Sequence, residues 1–329
     1  MKYFVTGATG FIGGRLARTL IARGHQVAAL VRTPSKAQDL AALGVTVYQG
    51  DIAEKESLRL PMKDVDGVFH VAAWYKIGVK DQSMAETINV GGTRNVLELM
   101  RDLGIPKGVY TSTLAVFSNT QGRIPDETYR YNGSHISEYD RTKWLAHYEV
   151  ALPMIAQGLP LVIVMPGLVY GPGDTSALGD AFEMYLQGKL PLIPKTTVFA
   201  WAHVDDVVEG HILAMEKGTP GETYIIAGEI KKLTEGFEIA ERATGVPAPR
   251  IQASARMINM MAGIVDVVGK VIPLPEAYTG EGLRVSTASY LGSNAKAKRE
   301  LGYDPRPVDV GLPEYLREEM KRLGIPAKK

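Results

Sequence analysis

The chain has 329 residues, 45% of them hydrophobic, and a net charge of +1 from 37 basic and 36 acidic side chains. That length allows roughly two domains and a sizeable core, and the even charge without a basic run argues against a nucleic-acid partner. Zero cysteines exclude disulfides, thiolate metal sites and cysteine nucleophiles, and the six histidines show no ligand spacing, so no metal site is expected.

The chain starts inside its first predicted strand. Lys2-Tyr3-Phe4-Val5 runs straight into Thr6-Gly7-Ala8-Thr9-Gly10-Phe11-Ile12-Gly13. This is the pattern of a phosphate-binding turn. Gly7 lets the chain bend, Gly10 lets the backbone approach a pyrophosphate, and Gly13 lets the next helix lie close on the sheet. The helix N-terminus then offers free N–H groups to the anion.

Apolar, β-branched runs at 26–31, 45–49, 67–71, 108–112 and 161–165 predict buried parallel strands. Helical patterns at 11–23, 36–43, 54–60, 84–103 and 138–157 alternate with them. Four of these helices end beside a glycine: Gly24, Gly44, Gly104 and Gly158. The alternation predicts an α/β fold with a doubly wound parallel sheet. After Gly167 the rhythm breaks. Residues 204–217 read as one more helix and 223–226 as one more strand of the main sheet. Residues 1–168 are therefore expected to form a dinucleotide-binding domain, with about 200–230 returning to its sheet. A smaller substrate-binding lobe is expected over 169–329.

The most apolar stretch, residues 257–273, is interrupted by Asp266, Gly269 and Lys270, too short and too polar to span a bilayer. No room is left for a signal peptide before the first strand, so a cytoplasmic protein without a membrane partner is expected.

Ligands of such sheets bind outside the carboxyl ends of the strands. The fifth strand ends in Thr111-Ser112-Thr113, and further along stands Tyr139-Asp140-Arg141-Thr142-Lys143. Tyr139 and Lys143 are four apart, one helical turn on the same face. A phenol titrates near ~10 and must be brought towards ~7 to exchange protons at neutral pH, roughly 4 kcal/mol of preferential stabilisation. A nearby ammonium and an oxidised nicotinamide ring would supply it. A hydroxyl from Thr113 or Ser112 can hold the substrate oxygen beside the phenol.

Together these residues resemble the extended short-chain dehydrogenase/reductase family, in its epimerase/dehydratase/reductase branch, and most closely the dihydroflavonol-reductase type. The resemblance covers nearly the whole chain. It rests on the glycine motif, Gly50-Asp51-Ile52, His70-Val71-Ala72-Ala73, Asn89 to Leu97, Thr111-Ser112-Thr113, Tyr139 with Lys143, Pro166 to Pro172, His203 to Val207, and Asn294 to Tyr303. The family implies Tyr139 as general acid/base, Lys143 as the residue that holds the ribose and tunes the tyrosine, and Thr113 in the hydroxyl position, with Ser112 able to share the role. It also implies a cofactor cradle of Gly7, Thr9, Gly10, Phe11, Ile12, Gly13, Asp51, Ile52, Ala72, Ala73, Tyr139, Lys143, Pro166 and Val169. Asp51 reads equally well as the cap of the next helix, in a box with Glu54. Asn89 is expected to support the site. The family often pairs helices 84–103 and 138–157 into a homodimer.

The end of the second strand bears on the cofactor. An acid there would hold the ribose 2′-hydroxyl of NAD. This chain has Arg32, with Lys36 close behind, and Asp39 lies too far along. Arg32 can grip a 2′-phosphate in bidentate fashion, so NADP is expected, with NAD as the other option.

Three readings of the reaction compete. The first is an NADP-dependent carbonyl reductase/alcohol dehydrogenase for a small, largely apolar substrate. The second is a sugar or sugar-nucleotide epimerase with the same Tyr/Lys/Thr set. The third is a non-catalytic dinucleotide-binding protein. Leu114-Ala115 after the threonine excludes the Asp-Glu pair of the family's dehydratases. Val198-Phe199-Ala200-Trp201-Ala202 lacks the arginine that clamps a diphosphate in its epimerases, although Arg284 could replace it. Met257, Met260 and Met261 read either as core packing or as an adaptable lid over a greasy substrate.

Overall fold

A computed structural model describes residues 1–79, 81–268 and 279–326. Part of the apolar stretch 257–273, including Gly269 and Lys270, lies outside the described residues. In chain order the strands are β1 (Lys2–Thr6), β2 (Gln26–Val31), β3 (Thr46–Gln49), β4 (Gly67–His70), β5 (Gly108–Thr111), β6 (Leu161–Pro166), β7 (Leu168–Tyr170), β8 (Leu192–Pro194), β9 (Val198–His203), β10 (Thr223–Ile226), β11 (Ile230–Lys232) and β12 (Ile251–Ala253).

Seven of them form one parallel sheet in the order β10-β6-β5-β4-β1-β2-β3. The order reverses between β1 and β4, and a crevice opens there beyond their carboxyl ends. Side chains alternate across the sheet. Phe4, Val68 and Tyr110 point into one layer, with Val96, Leu97, Val150 and Met154 of the helices between residues 83 and 156. Tyr3, Val5, Phe69 and Val109 point into the other, with Leu16, Leu20, Val207 and Ile212. The second layer belongs to the helices Phe11–Ala22 and Val204–Lys217. The predicted strand 223–226 joins the main sheet beside β6, parallel to it.

The two long predicted helices are each continuous but carry a π turn. One runs from Ser83 to Asp102 through Thr87–Gly92, the other from Glu138 to Ala156 through Ala146–Ala151. The predicted helix 36–43 is instead a 3₁₀ turn, Pro34–Ala37, then the short helix Gln38–Ala42. Asp51 does not cap a helix. Its side chain accepts from the Ala53 N–H at 3.0 Å in a local turn, and the helix Lys55–Arg59 starts after Glu54 without any side-chain cap. The chain reverses first, through the Glu54 N–H to Asp51 carbonyl bond of 2.9 Å, and so displaces the helix start.

A third core lies around a small sheet, β11-β9-β7, with Tyr170, Phe182, Trp201, Phe237 and Tyr315 at its centre. The apolar run 198–202 is therefore a strand, with Ala200, Trp201 and Ala202 buried. Met257 and Met260 are 39% and 62% exposed on the helix Ala255–Val268, so they do not pack a core.

Candidate active site

The glycine turn sits at the topological switch. Gly7 has φ +73°, and a Cβ on it would lie 2.8 Å from the Ala72 backbone nitrogen, so β1 and the segment after β4 meet here without side chains between them. A Cβ on Gly13 would lie 2.3 Å from the Gly7 carbonyl oxygen, which only glycine relieves. The helix Phe11–Ala22 begins after Gly10 with no side-chain cap and no acid in its first turn. Its first N–H groups therefore remain available to an anion. Thr9 and Gly10 are exposed, Phe11 and Ile12 half-buried. A cleft of about 640 Å³ runs along this helix, lined among others by Thr9, Gly10, Phe11, Arg18, Lys36 and Pro172.

At the end of β2, Arg32 is exposed and has no hydrogen bond or ion pair among the described residues. Lys36 stands exposed in the following 3₁₀ turn. Asp39 is taken up by Arg18, whose guanidinium holds the carboxyl below its usual range. Asp51 is half-buried, while Ile52 is buried against Gly92. Ala72 is half-buried and Ala73 exposed beyond β4. Pro166 closes β6, and Val169 is half-buried in β7.

Below the crevice runs a buried polar chain. The Thr6 hydroxyl accepts from the Val71 and Ala72 N–H groups at 3.1 Å each and contacts His70 Nδ1 at 2.8 Å. Having spent its lone pairs, the hydroxyl donates to Nδ1, so the ring proton sits on Nε2, 3.0 Å from Thr93 Oγ1. Burial lowers His70 to about 3, so it is neutral.

The end of strand β5 and the two residues after it carry three hydroxyls. Thr111 Oγ1 reaches His211 Nε2 at 2.8 Å on one face. Ser112 Oγ reaches His147 Nδ1 at 2.8 Å and is buried. Thr113 caps the turn Leu114–Phe117, accepting from the Ala115 N–H at 3.2 Å, and its hydroxyl opposes the burial that raises the Tyr139 phenol. Ser112 shares the face of Tyr110, towards the helix that carries Tyr139, and is engaged by His147, two turns further along that helix.

Ser137 caps the helix that carries Tyr139 and Lys143. Lys143 is 2% exposed, and its Nζ donates to the Thr111 carbonyl at 2.7 Å and lies 3.1 Å from Tyr110 OH. Burial lowers it to about 7. Tyr139 moves the other way: burial pushes its phenol well above the usual range, Tyr75 adds to the shift, and only Thr113 opposes it. Lys143, one helical turn from Tyr139, is held by Tyr110 and the β5 backbone. Asn89 bridges the site's walls. Its amide donates to Thr142 Oγ1 at 2.9 Å and to the Trp74 carbonyl at 3.1 Å, and accepts from the Trp74 N–H at 2.7 Å.

Three residues that the sequence reading did not single out converge here. Tyr75 lays its ring edge-on to Tyr139, centroids 4.8 Å apart. Asp140 is buried and accepts from Tyr290 OH at 3.0 Å. Nothing local marks Tyr75 or Tyr290, which arrive from distant segments. Asp140 lay in plain view between Tyr139 and Lys143.

A glycine cradle at the switch point, with a buried lysine and a phenol one turn apart at the end of the fifth strand, is matched in known proteins. Residues 3–227 match the model of the NAD dependent epimerase/dehydratase family. The chain belongs to that family. It is a nicotinamide-dependent enzyme of the extended short-chain dehydrogenase/reductase type. Similar proteins include the sterol demethylase protein B of Methylococcus capsulatus, 30% identical over 93% of this chain and 94% of that protein. Another is the 3-beta-hydroxysteroid dehydrogenase of Mycolicibacterium neoaurum, 29% identical over 92% of this chain and 87% of that one. Among solved structures, gox2253 superposes with a TM-score of 0.85 at 33% identity, covering 98% of both chains. The described residues hold no helix long and apolar enough to cross a membrane.

Proposed function

We propose that the enzyme transfers hydride between NADP(H) and a ketone, aldehyde or secondary alcohol of a small, largely apolar substrate, with Tyr139 as general acid/base. The observation that carries this reading is the wall above Tyr139. It is aromatic, with Tyr75 edge-on to the phenol and Tyr290 bound to the neighbouring Asp140, and Arg284, the candidate diphosphate clamp, is bound to Asp266. A steroid dehydrogenase among the similar proteins supports an apolar substrate.

The residues present fit a dinucleotide: a Cβ at Gly7 or Gly13 would collide with backbone, and the uncapped helix start offers N–H groups to a pyrophosphate. Gly7, Thr9, Gly10, Phe11, Ile12 and Gly13 would hold the diphosphate, Arg32 and Lys36 a 2′-phosphate, Asp51 and Ile52 the adenine. Ala72, Ala73, Lys143, Pro166 and Val169 would hold the nicotinamide riboside. The bound cofactor supplies or accepts the hydride at the substrate carbon. In reduction Thr113 donates a hydrogen bond to the carbonyl oxygen and Tyr139 gives it a proton, leaving an alcohol and a phenolate. Lys143 would hold the ribose hydroxyls below the phenol, and the Tyr75 ring lies edge-on beside it.

A panel of ketones, aldehydes and sugar nucleotides, read by NADPH absorbance and by product analysis, tests the proposal. Stoichiometric NADPH loss with a ketone supports it. Epimerised product with no net cofactor turnover would replace it with the epimerase reading.

A further inference from the structure

Arg15 joins three pieces of the chain beside the glycine turn. It stands on the helix Phe11–Ala22, one turn after Phe11. Its Nη1 donates to Asp205 Oδ1 at 2.7 Å, and its Nη2 donates to the Pro172 carbonyl at 3.0 Å. Asp205 lies in the first turn of the helix Val204–Lys217, where the helix dipole favours a carboxylate. Asp206, beside it, is engaged by Arg306 at 2.9 Å. Two of the three pieces are rigid: both helices are long and share one core layer. The third is the segment 171–175, between β7 and the helix Ala177–Leu186. There Pro172, its φ fixed by its ring, stands between Gly171 at φ +142° and Gly173 at φ +82°. A Cβ on Gly173 would meet nothing within 4 Å, so backbone conformation rather than crowding calls for glycine there. A stiff residue between two free joints is the construction of a hinged flap.

Pro172, Gly173 and Thr175 line the same cleft of about 640 Å³ as Thr9, Gly10 and Phe11. The glycine turn is one wall of that cleft, and the segment 171–175 is another. We propose that Arg15 is a positioning residue that latches this segment against the cleft and so sets how fast the dinucleotide leaves. This rests on the glycine turn holding the dinucleotide. The Arg15 and Asp205 side chains are 31% and 41% exposed, and an ion pair so placed adds little to stability. What the guanidinium fixes is the position of the Pro172 carbonyl, with the rigid Asp205 carboxylate setting its orientation. A wall held in place before the cofactor arrives costs no ordering when it binds. A wall released from its latch lets the bound cofactor go.

Arg15→Met keeps the apolar stem and removes both donors, whereas Arg15→Lys keeps the charge without the planar fork. Release of NADPH and of NADH, without substrate, is followed by stopped-flow loss of bound nicotinamide fluorescence. Arg15→Met should release cofactor about tenfold faster, the lower end for a charged hydrogen bond, with the association rate nearly unchanged. Arg15→Lys should lie between it and the wild type. In the cofactor-free protein, amide exchange read by mass spectrometry should rise in a peptide covering 168–176 and not in one covering 11–22. Gly173→Ala strains the same backbone without touching Arg15 and should also speed release. A folded Arg15→Met protein that releases both cofactors at the wild-type rate would overturn the proposal. So would exchange that rises equally in both peptides, which is general loosening. If Arg15→Met does not fold, Gly173→Ala decides, and release at the wild-type rate overturns the proposal. A wild type that binds neither cofactor removes the cradle reading itself, and the latch with it.

Discussion

The two ends of the site are built from different material. The cofactor end, at β1 and β2, is backbone: glycines that exclude a Cβ and a helix start whose N–H groups have no cap. The reaction end, beyond β5, is side chains under electrostatic stress: a lysine lowered to about 7, a phenol pushed up, and a buried carboxylate, Asp140, raised to about 6. Backbone sites select by shape and tolerate little change in bulk. Side-chain sites select by proton affinity, and their properties depend on neighbours far away in the chain. Substitutions should therefore separate the two ends cleanly.

The largest effect should come from Tyr139→Phe. It removes the proton and leaves the ring on Tyr75, so turnover should fall about 10²–10⁴-fold while the dinucleotide still binds. Single-turnover rates and a dissociation constant for NADPH check both halves. Retention of most of kcat would remove Tyr139 from the role, and loss of cofactor affinity would mean the two ends are not separable.

Lys143→Met comes next. Burial lowers Lys143 from 10.5 to about 7. Between these values the unfolded chain holds a proton that the folded protein does not, so this group makes stability rise with pH across that window. Below about pH 7 the folded protein carries the buried charge at full cost, at most about 5 kcal/mol. The wild type should therefore gain stability relative to Lys143→Met between pH 7 and pH 10, seen in denaturant midpoints. A difference flat in pH would mean that the ammonium is solvated. Cofactor affinity should weaken as well, since the ribose loses its donor.

Arg32→Asp tests the cofactor end alone. A charged hydrogen bond to a 2′-phosphate contributes about 1.5–3 kcal/mol, roughly 10- to 150-fold in affinity. The substitution removes that partner, repels the phosphate and offers a carboxylate to a free 2′-hydroxyl, so preference should swing to NADH with kcat little changed. Equal wild-type affinity for NADH and NADPH would return the assignment to NAD.

The same division explains what could be read from the sequence. The doubly wound sheet was legible because its strands are continuous apolar runs and its helices end at Gly24, Gly44, Gly104 and Gly158, all with positive φ. The glycine turn was legible because seven adjacent residues, Gly7 to Gly13, contain the whole device. Where the local rule met a competing local rule it failed: Asp51 satisfied a turn rather than a helix end, and Pro34 made a 3₁₀ turn of the next helix's start. The reaction end was legible only as residue types. Tyr139, Lys143 and Thr113 could be named, but Lys143 pairs with Tyr110, 33 positions away, and Asp140 with Tyr290, 150 positions away. No window along the chain contains both members of either pair.

The smallest effect is the most discriminating within the hydroxyl strand. Ser112 and Thr113 are neighbours with the same chemistry, and their partners distinguish them. Ser112 Oγ contacts buried His147, which burial keeps neutral at about 3, so their bond is between uncharged groups. Ser112→Ala should then cost about 1 kcal/mol of stability and leave kcat nearly unchanged. Thr113→Val keeps the shape of the side chain and removes its hydroxyl. It should lower kcat about 100-fold, the value of one donor to a developing oxyanion at the weaker end of the known range. Its stability should change less than its rate, because the Thr113 cap serves a single exchangeable N–H at 3.2 Å. Measuring unfolding midpoints and kcat on both variants gives four numbers with a crossed pattern. If Ser112→Ala lowers kcat as much as Thr113→Val does, their partners do not separate the two hydroxyls, and Ser112 shares the substrate oxygen after all.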